Sequence, residues 1–200
     1  MAEQIDITIT RGKTFEFGFL YADDELVYKP ITAMPSAAPV RLTVAGHGIP
    51  DGWPVQVSCV KAPAELNSND GEHYFIKVID VDTIELNNVN AHCWKAYSGS
   101  GLVVFQKPVD LTGWSCRAQV RDKMGGNVLF SWHSDPGENP DGVAEVDVAA
   151  SQFVLHIDEA TAAALTWKRG VYDAEAIAPG GEVYPVTAIS TVTVADEVTA

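Results

Sequence analysis

Two hundred residues are enough for one large domain or two small ones, and 46% hydrophobic with 20% charged content suits a chain that buries a real core. A formal net charge of −14 and an isoelectric point near 4.5 argue against nucleic-acid binding, because thirteen Lys and Arg dispersed among twenty-seven acids form no basic stripe for phosphates. Met1-Ala2-Glu3-Gln4-Ile5-Asp6 lacks the basic and apolar regions of a signal peptide, and no stretch approaches the roughly 18 apolar residues of a membrane span, so the expectation is no membrane association and synthesis in the cytoplasm. Cys59, Cys93 and Cys116 have no paired spacing, which predicts buried free thiols rather than a disulfide framework.

Period two dominates from the start. Ile5-Asp6-Ile7-Thr8-Ile9-Thr10 alternates, Arg11-Gly12-Lys13 supplies a turn, and Thr14 to Tyr21 alternates again with aromatics on one face, which predicts an opening strand pair. Asp23-Asp24-Glu25 reads as a second turn, and Leu26-Val27-Tyr28 leads into Lys29-Pro30, where proline ends regular pairing. Residues 31 to about 102 hold short β-runs at Val40 to Ala45, Val55 to Val60, Tyr74 to Asp80 and Thr83 to Leu86. Each is too short for an independent sheet, so the runs must close on one another as a small barrel. Gly46-His47-Gly48 and Pro50-Asp51-Gly52 are turn chemistry between them.

After Leu102-Val103-Val104-Phe105 the earlier style resumes. Trp114 to Arg121 sets Trp114, Cys116, Ala118 and Val120 on one face and Arg117, Gln119 and Arg121 on the other, and Asp122 to Gly126 turns into Val128 to Trp132. A polar Pro/Gly loop, His133 to Gly142, precedes strands at Val143 to Val148 and Phe153 to Ile157. Asp158 caps one helix, Glu159 to Leu165, whose acidic first turn suits the helix dipole. A long hairpin closes the chain, with Gly170 to Ile177 going out, Pro179-Gly180-Gly181 turning, and Val183 to Val194 returning. Because Lys29-Pro30-Ile31 is echoed by Lys107-Pro108-Val109, the stretch between reads as an insertion. The predicted fold is all-β: a β-sandwich-like parent domain with one short helix, residues 1–30 and 107–200, and an inserted small β-barrel, residues 31–106.

Asp110-Leu111-Thr112-Gly113-Trp114, then Arg121-Asp122-Lys123, Ala164-Leu165-Thr166-Trp167 and Gly170-Val171-Tyr172-Asp173-Ala174-Glu175 look like a domain recurring in phage tail, baseplate and fibre-attachment proteins. Over roughly residues 5–30 and 108–195 the chain is similar to the N-terminal domain of the phage baseplate upper protein family. In the insert, Val44 to Gly48, Pro54 to Ser58, Glu65-Leu66-Asn67, Tyr74 to Val78 and Thr83 to Leu86 resemble a small β-barrel seen in phage tail proteins and related to the first catalytic-cysteine half-domain of ubiquitin-activating enzymes. The likeness is one of fold, since no cysteine of the segment matches a catalytic motif.

Catalytic patterns find little footing. Gly46-His47-Gly48 with Gly52 lacks the G-x-G-x-x-G spacing and precedes no predicted helix. His73, His92 and Cys93 lack the spacing of zinc ligands. Asp80, Asp82, Glu85, Asp173 and Glu175 read as alternating acids on solvated faces, and nothing in their spacing sets two carboxylates across a cleft for glycoside hydrolysis. Trp53, Trp94, Trp114, Trp132 and Trp167 are assigned to core and interface packing, with a sugar-binding platform as the rival. The sequence therefore predicts no catalytic, cofactor or metal residues. The resemblance implies a non-enzymatic structural component of a tailed-phage virion, joining neck, baseplate or tail to fibres or neighbouring rings. Its partners would be other virion proteins and further copies in a symmetric ring. The alternatives are a carbohydrate-binding accessory module and a bacterial-surface or secretion-associated β-protein.

Overall fold

A computed structural model describes residues 3–197. The elements in chain order are β1 (Ile7–Thr10), β2 (Phe15–Leu20), β3 (Ala22–Pro30), β4 (Ala33–Ala37), β5 (Val40–Thr43), β6 (Pro54–Ser58), β7 (Tyr74–Asp80), β8 (Thr83–Leu86), β9 (Leu102–Pro108), β10 (Ser115–Arg121), β11 (Val128–His133), β12 (Gly142–Asp147), β13 (Gln152–Ile157), α1 (Glu159–Ala164), β14 (Arg169–Ile177), β15 (Val183–Pro185) and β16 (Ser190–Ala195). Short 3-10 turns occupy Ala64–Leu66 and Pro136–Glu138. The protein is all-β with one short helix, and it divides into two compact units: the described residues up to Tyr21 with those from Asp110, and Ala22–Val109.

The first unit is one sheet in the order β1-β16-β14-β10-β11-β12-β13-β2, with β15 beside β14. Laid flat, eight strands about 4.8 Å apart would set β1 and β2 about 34 Å from each other. Only Arg11 to Thr14 join them, a link that spans well under about 20 Å even when fully extended. The sheet therefore curls into two facing layers, which makes the unit β-sandwich-like. Within it, β11 and β12 pair in parallel over Trp132↔Gly142 and His133↔Val143 alone. Alternation fills the interior: Cys116, Ala118 and Val120 from β10, Phe130 and Trp132 from β11, and Phe153, Leu155 and Ile157 from β13 are all buried. Asp158 accepts a hydrogen bond from the Thr161 amide at 2.7 Å and so starts α1. Beyond the helix, Arg11 holds the chain by donating to the carbonyls of Leu165 (2.7 Å) and Trp167 (3.1 Å) and by pairing with Asp196.

The second unit runs β3-β9-β6-β7-β8-β5-β4. Its two outer strands are joined by Ile31 and Thr32 alone, so this sheet curls as well, into a nearly closed barrel. The joining residues bond to both flanks: Ile31 N donates to Gly101 O at 2.9 Å and Thr32 N to Thr43 O at 2.9 Å. The barrel is filled by Val40, Leu42, Trp53, Val55, Val57, Leu66, Ile76, Ile84 and Leu86, each no more than 1% exposed.

Several expectations change. β1 and β2 do not pair with each other: β1 lies parallel to β16 and β2 antiparallel to β13. Alternation makes each a strand but carries no information about its partner, and the Arg11–Lys13 turn swings the chain across the sheet opening. Asp23-Asp24-Glu25 is no turn but part of β3, where a register shift between Ala22 and Leu26 bulges the acids outward. The single return strand Val183 to Val194 is two, β15 and β16, separated where Val186 N and Thr187 N both donate to Ala174 O. Strand β4 lay unrecognised in Ala33–Ala37. The unit boundary falls at Tyr21/Ala22 and Val109/Asp110 rather than at residues 30/31 and 106/107, because β3 pairs with β9 and not with any parent strand.

Ala22 and Pro108 are Cα partners across that ladder, so the insert enters and leaves with its ends about 5 Å apart. Replacing Ala22–Val109 by a short Gly/Ser linker is expected to leave a parent unit that unfolds in one cooperative urea transition, because closing so short a gap costs little loop entropy. Loss of any cooperative transition would show that the two units share one core.

Candidate functional site

The outward faces of β14, β10 and β11 form one polar surface. Register places Glu175 beside Arg117 and Arg117 beside His133, and in the next outward row Asp173 beside Gln119 and Gln119 beside Ser131. Strand alternation requires all six to point away from the core, since Ala118, Trp132 and Ala174 between them point in. The loop after β11 rises over this face as a wall carrying Glu138 and Pro140, leaving a groove of about 750 Å³.

Hydrogen bonds fix its parts. Arg117 meets the Glu175 carboxylate through Nε at 2.8 Å and Nη2 at 2.7 Å. Arg121 donates to Gln119 Oε1 at 2.8 Å and to Gly126 O at 2.7 Å. Asp141 Oδ2 accepts from Ser131 N at 2.9 Å and Ser131 Oγ at 3.0 Å, pinning the far end of the loop to β11. At the near end His133 Nδ1 accepts from Asp135 N at 2.9 Å, and Asp135 Oδ1 caps Gly137 N at 2.8 Å. Across the loop lies a second recess of about 510 Å³ with His133, Val143, His156 and Asp158 on its walls. The Thr161 backbone and hydroxyl groups bonded to Asp158, with the neighbouring His156, hold its carboxyl below the usual value.

The residues singled out from the sequence mostly perform structural tasks. His47 is buried, accepts from Ile49 N at 3.0 Å through Nδ1 and faces Asp80 O at 2.9 Å through Nε2, so its ring staples the Gly46 to Pro50 loop to β7. Asp82 caps Gly46 N at 2.7 Å, Asp80 caps Asp82 N at 2.9 Å, and Glu85 pairs with Arg41 at 2.8 Å. The bond from the Asp82 amide is the largest cause holding the Asp80 carboxyl low. Asp173 and Glu175 stand two residues apart on one face of β14. His73, His92 and Cys93 are exposed, and among the described residues no group of three or more His, Cys, Asp or Glu is arranged to hold a metal. Of the thiols only Cys116 is buried, and that burial pushes its pKa up to about 12. Cys59 and Cys93 are exposed, against expectation: Cys59 lies just past the end of β6 in a left-handed conformation, where alternation no longer governs side-chain direction.

The tryptophans do not assemble into a platform. Trp53 and Trp132 are 1% exposed, and Trp53 donates its indole N–H to Gln106 O at 3.0 Å. Trp94 packs half-buried on the barrel core. Trp114 contacts Tyr21 and Tyr184, each with ring centroids 5.7 Å away. The indole nitrogens of Trp132 and Trp167 are buried without a hydrogen-bond partner among the described residues.

The Asp110 to Trp114 motif is the turn by which the chain re-enters the parent sheet. Asp110 Oδ1 accepts from Thr112 N at 2.9 Å and Thr112 Oγ1 at 2.6 Å, Leu111 is fully buried, and Gly113 takes a φ of +77° that a side chain would strain. The groove itself was missed from the sequence. Its only trace there is the pair of alternating polar runs, Arg117-x-Gln119-x-Arg121 and Asp173-x-Glu175, and nothing local says that they become neighbours.

No protein-family model matches the chain, and comparison with curated proteins finds no match. Among the described residues no helix is long and apolar enough to cross a membrane.

Proposed function

We propose that this chain is a non-enzymatic structural subunit of a tailed-bacteriophage virion, joining neck, baseplate or tail to fibres or neighbouring rings through protein–protein contacts. The observation that carries the reading is that the segments bearing the resemblance fold together. Asp110 to Trp114 leads directly into β10, Gly170 to Glu175 lies in β14, and β10 and β14 pair along their length from Ser115↔Ile177 to Arg121↔Val171. They form one continuous element of the parent sheet rather than scattered likenesses.

Surfaces suited to protein contact support the same reading. On the outside of the barrel, Leu26, Tyr28 and Phe75 are 50–59% exposed, and Tyr28 is aligned through Val104 with Gln56, Leu26 with Gln106, and Phe75 with Pro54. Apolar side chains gathered on one face mark interaction surfaces. In the parent unit β1 ends the sheet with one edge open, and strand addition is the corresponding mode of contact. Repulsion between copies carrying −14 each is screened within about 8–10 Å at physiological salt, so apolar contacts prevail at close range. Symmetric particles repeat such contacts as rings.

Quantitative mass spectrometry of purified particles is expected to find the chain at a fixed ratio to the major capsid protein, in a multiple set by the particle's rotational symmetry. Absence from mature particles would sink the proposal.

A further inference from the structure

We infer that the groove on β14, β10 and β11 is a binding site for a neutral oligosaccharide. Three properties of its lining lead there. The first is charge: Arg117 and Arg121 are offset by Asp173 and Glu175, and Glu138 leaves a surplus of a single negative charge. A lining so nearly neutral creates no strong field to select phosphate or a multivalent cation.

The second is the shape of the polar groups. Guanidinium, carboxylate and the Gln119 amide are planar forks that present two donors, two acceptors or one of each. Adjacent hydroxyls of a pyranose present matching pairs, each hydroxyl able to donate and accept. Strand register holds these forks in two rows, Glu175 beside Arg117 and Asp173 beside Gln119, on rigid sheet rather than on loops. Among the described residues the Asp173 and Glu138 carboxylates accept no hydrogen bond and the Gln119 amide donates none, its Oε1 accepting from Arg121. A hydroxyl-rich chain can replace the water on these groups bond for bond.

The third is the scarcity of apolar anchors. A protein partner needs an aromatic or aliphatic centre from which water is expelled, whereas here Ile177 and Pro140 are the only apolar side chains beyond the inward-pointing Ala118 and Trp132.

The test uses the full chain and a glycan array of neutral oligosaccharides, maltohexaose and chitotetraose included, followed by amide NMR titration with the best-retained glycan. Shifts confined to β10, β11 and β14 are expected, with affinity lowered tenfold or more in both Asp173→Ala and Gln119→Ala at unchanged melting temperature. Both side chains are exposed, so neither substitution disturbs the core, and Glu65→Ala on the insert is expected to bind as the parent chain does. Retention of no neutral glycan, binding unaltered by the two groove substitutions, or binding abolished by 0.5 M salt would each overturn the inference. It is measured on the isolated protein, so it stands or falls independently of whether the chain is found in particles.

Discussion

Trp53→Ala is expected to destabilise the barrel unit by about 3–5 kcal/mol, the usual cost of emptying a buried aromatic site. Trp53 is 1% exposed and lies in the core with Val55, Val57, Leu66 and Ile76. Val55 and Val57 lie on β6 and Ile76 on β7, in ladders that tie β6 to both β7 and β9, so these side chains can collapse into the vacated space only in part. The substitution also deprives Gln106 O of its indole donor. Small domains are stable by about 5–15 kcal/mol, so the loss removes a large share of the barrel's stability. The measurement is urea unfolding followed by near-ultraviolet circular dichroism, with Trp94→Ala as the comparison, since Trp94 is only half-buried. The two readings of the tryptophan separate cleanly: a sugar platform would lose binding and keep its midpoint, whereas a core residue loses the midpoint. An unchanged urea midpoint in Trp53→Ala would refute the packing described for the barrel.

The same residue shows what a sequence can and cannot disclose. Where structure is decided locally, the pattern was legible: Cys116, Ala118 and Val120 alternate inward on β10 as their spacing requires, and Asp158 starts α1 because its carboxylate sits three residues before Thr161 N. That Trp53 belongs inside also followed from the cost of exposing a large ring. Which strand lies beside which is set by contacts distant along the chain, so β1 found β16 and β2 found β13 although the turn at Arg11–Lys13 suggested a hairpin. Composition misled at Asp23-Asp24-Glu25, since an outer strand with a bulge exposes acids as readily as a turn does. The groove was illegible for the same reason as the pairing. Arg117 and Asp173 are ordinary solvated residues until β10 and β14 align and the loop pinned by Asp141 walls them in.

Gly142→Ala is expected to destabilise the parent unit by about 1–3 kcal/mol, the range for overpacking a well-filled core, which lowers the melting temperature on the order of 5–15 °C. A Cβ at this position would lie 2.8 Å from Cδ1 and Nε1 of Trp132 and 2.9 Å from the His156 carbonyl oxygen. Neither neighbour yields cheaply. Trp132 is 1% exposed and stacks edge-on against Phe130 at 4.7 Å between ring centroids, and His156 is paired with Val143 in the β12–β13 ladder. The strain falls where β11 and β12 touch through only Trp132↔Gly142 and His133↔Val143, so relief requires these two strands to part. Gly180→Ala serves as control, because the Cβ there meets the carboxylate end of the exposed Glu182 side chain, which can swing aside; its effect is expected within about 0.5 kcal/mol. The double variant Gly142→Ala/Trp132→Leu is expected to cost less than the sum of its parts, since a smaller side chain frees the space the methyl needs and the two sites are coupled by contact. Strict additivity, or equal melting temperatures for Gly142→Ala and Gly180→Ala, would mean that Gly142 and Trp132 are not packed against each other as described.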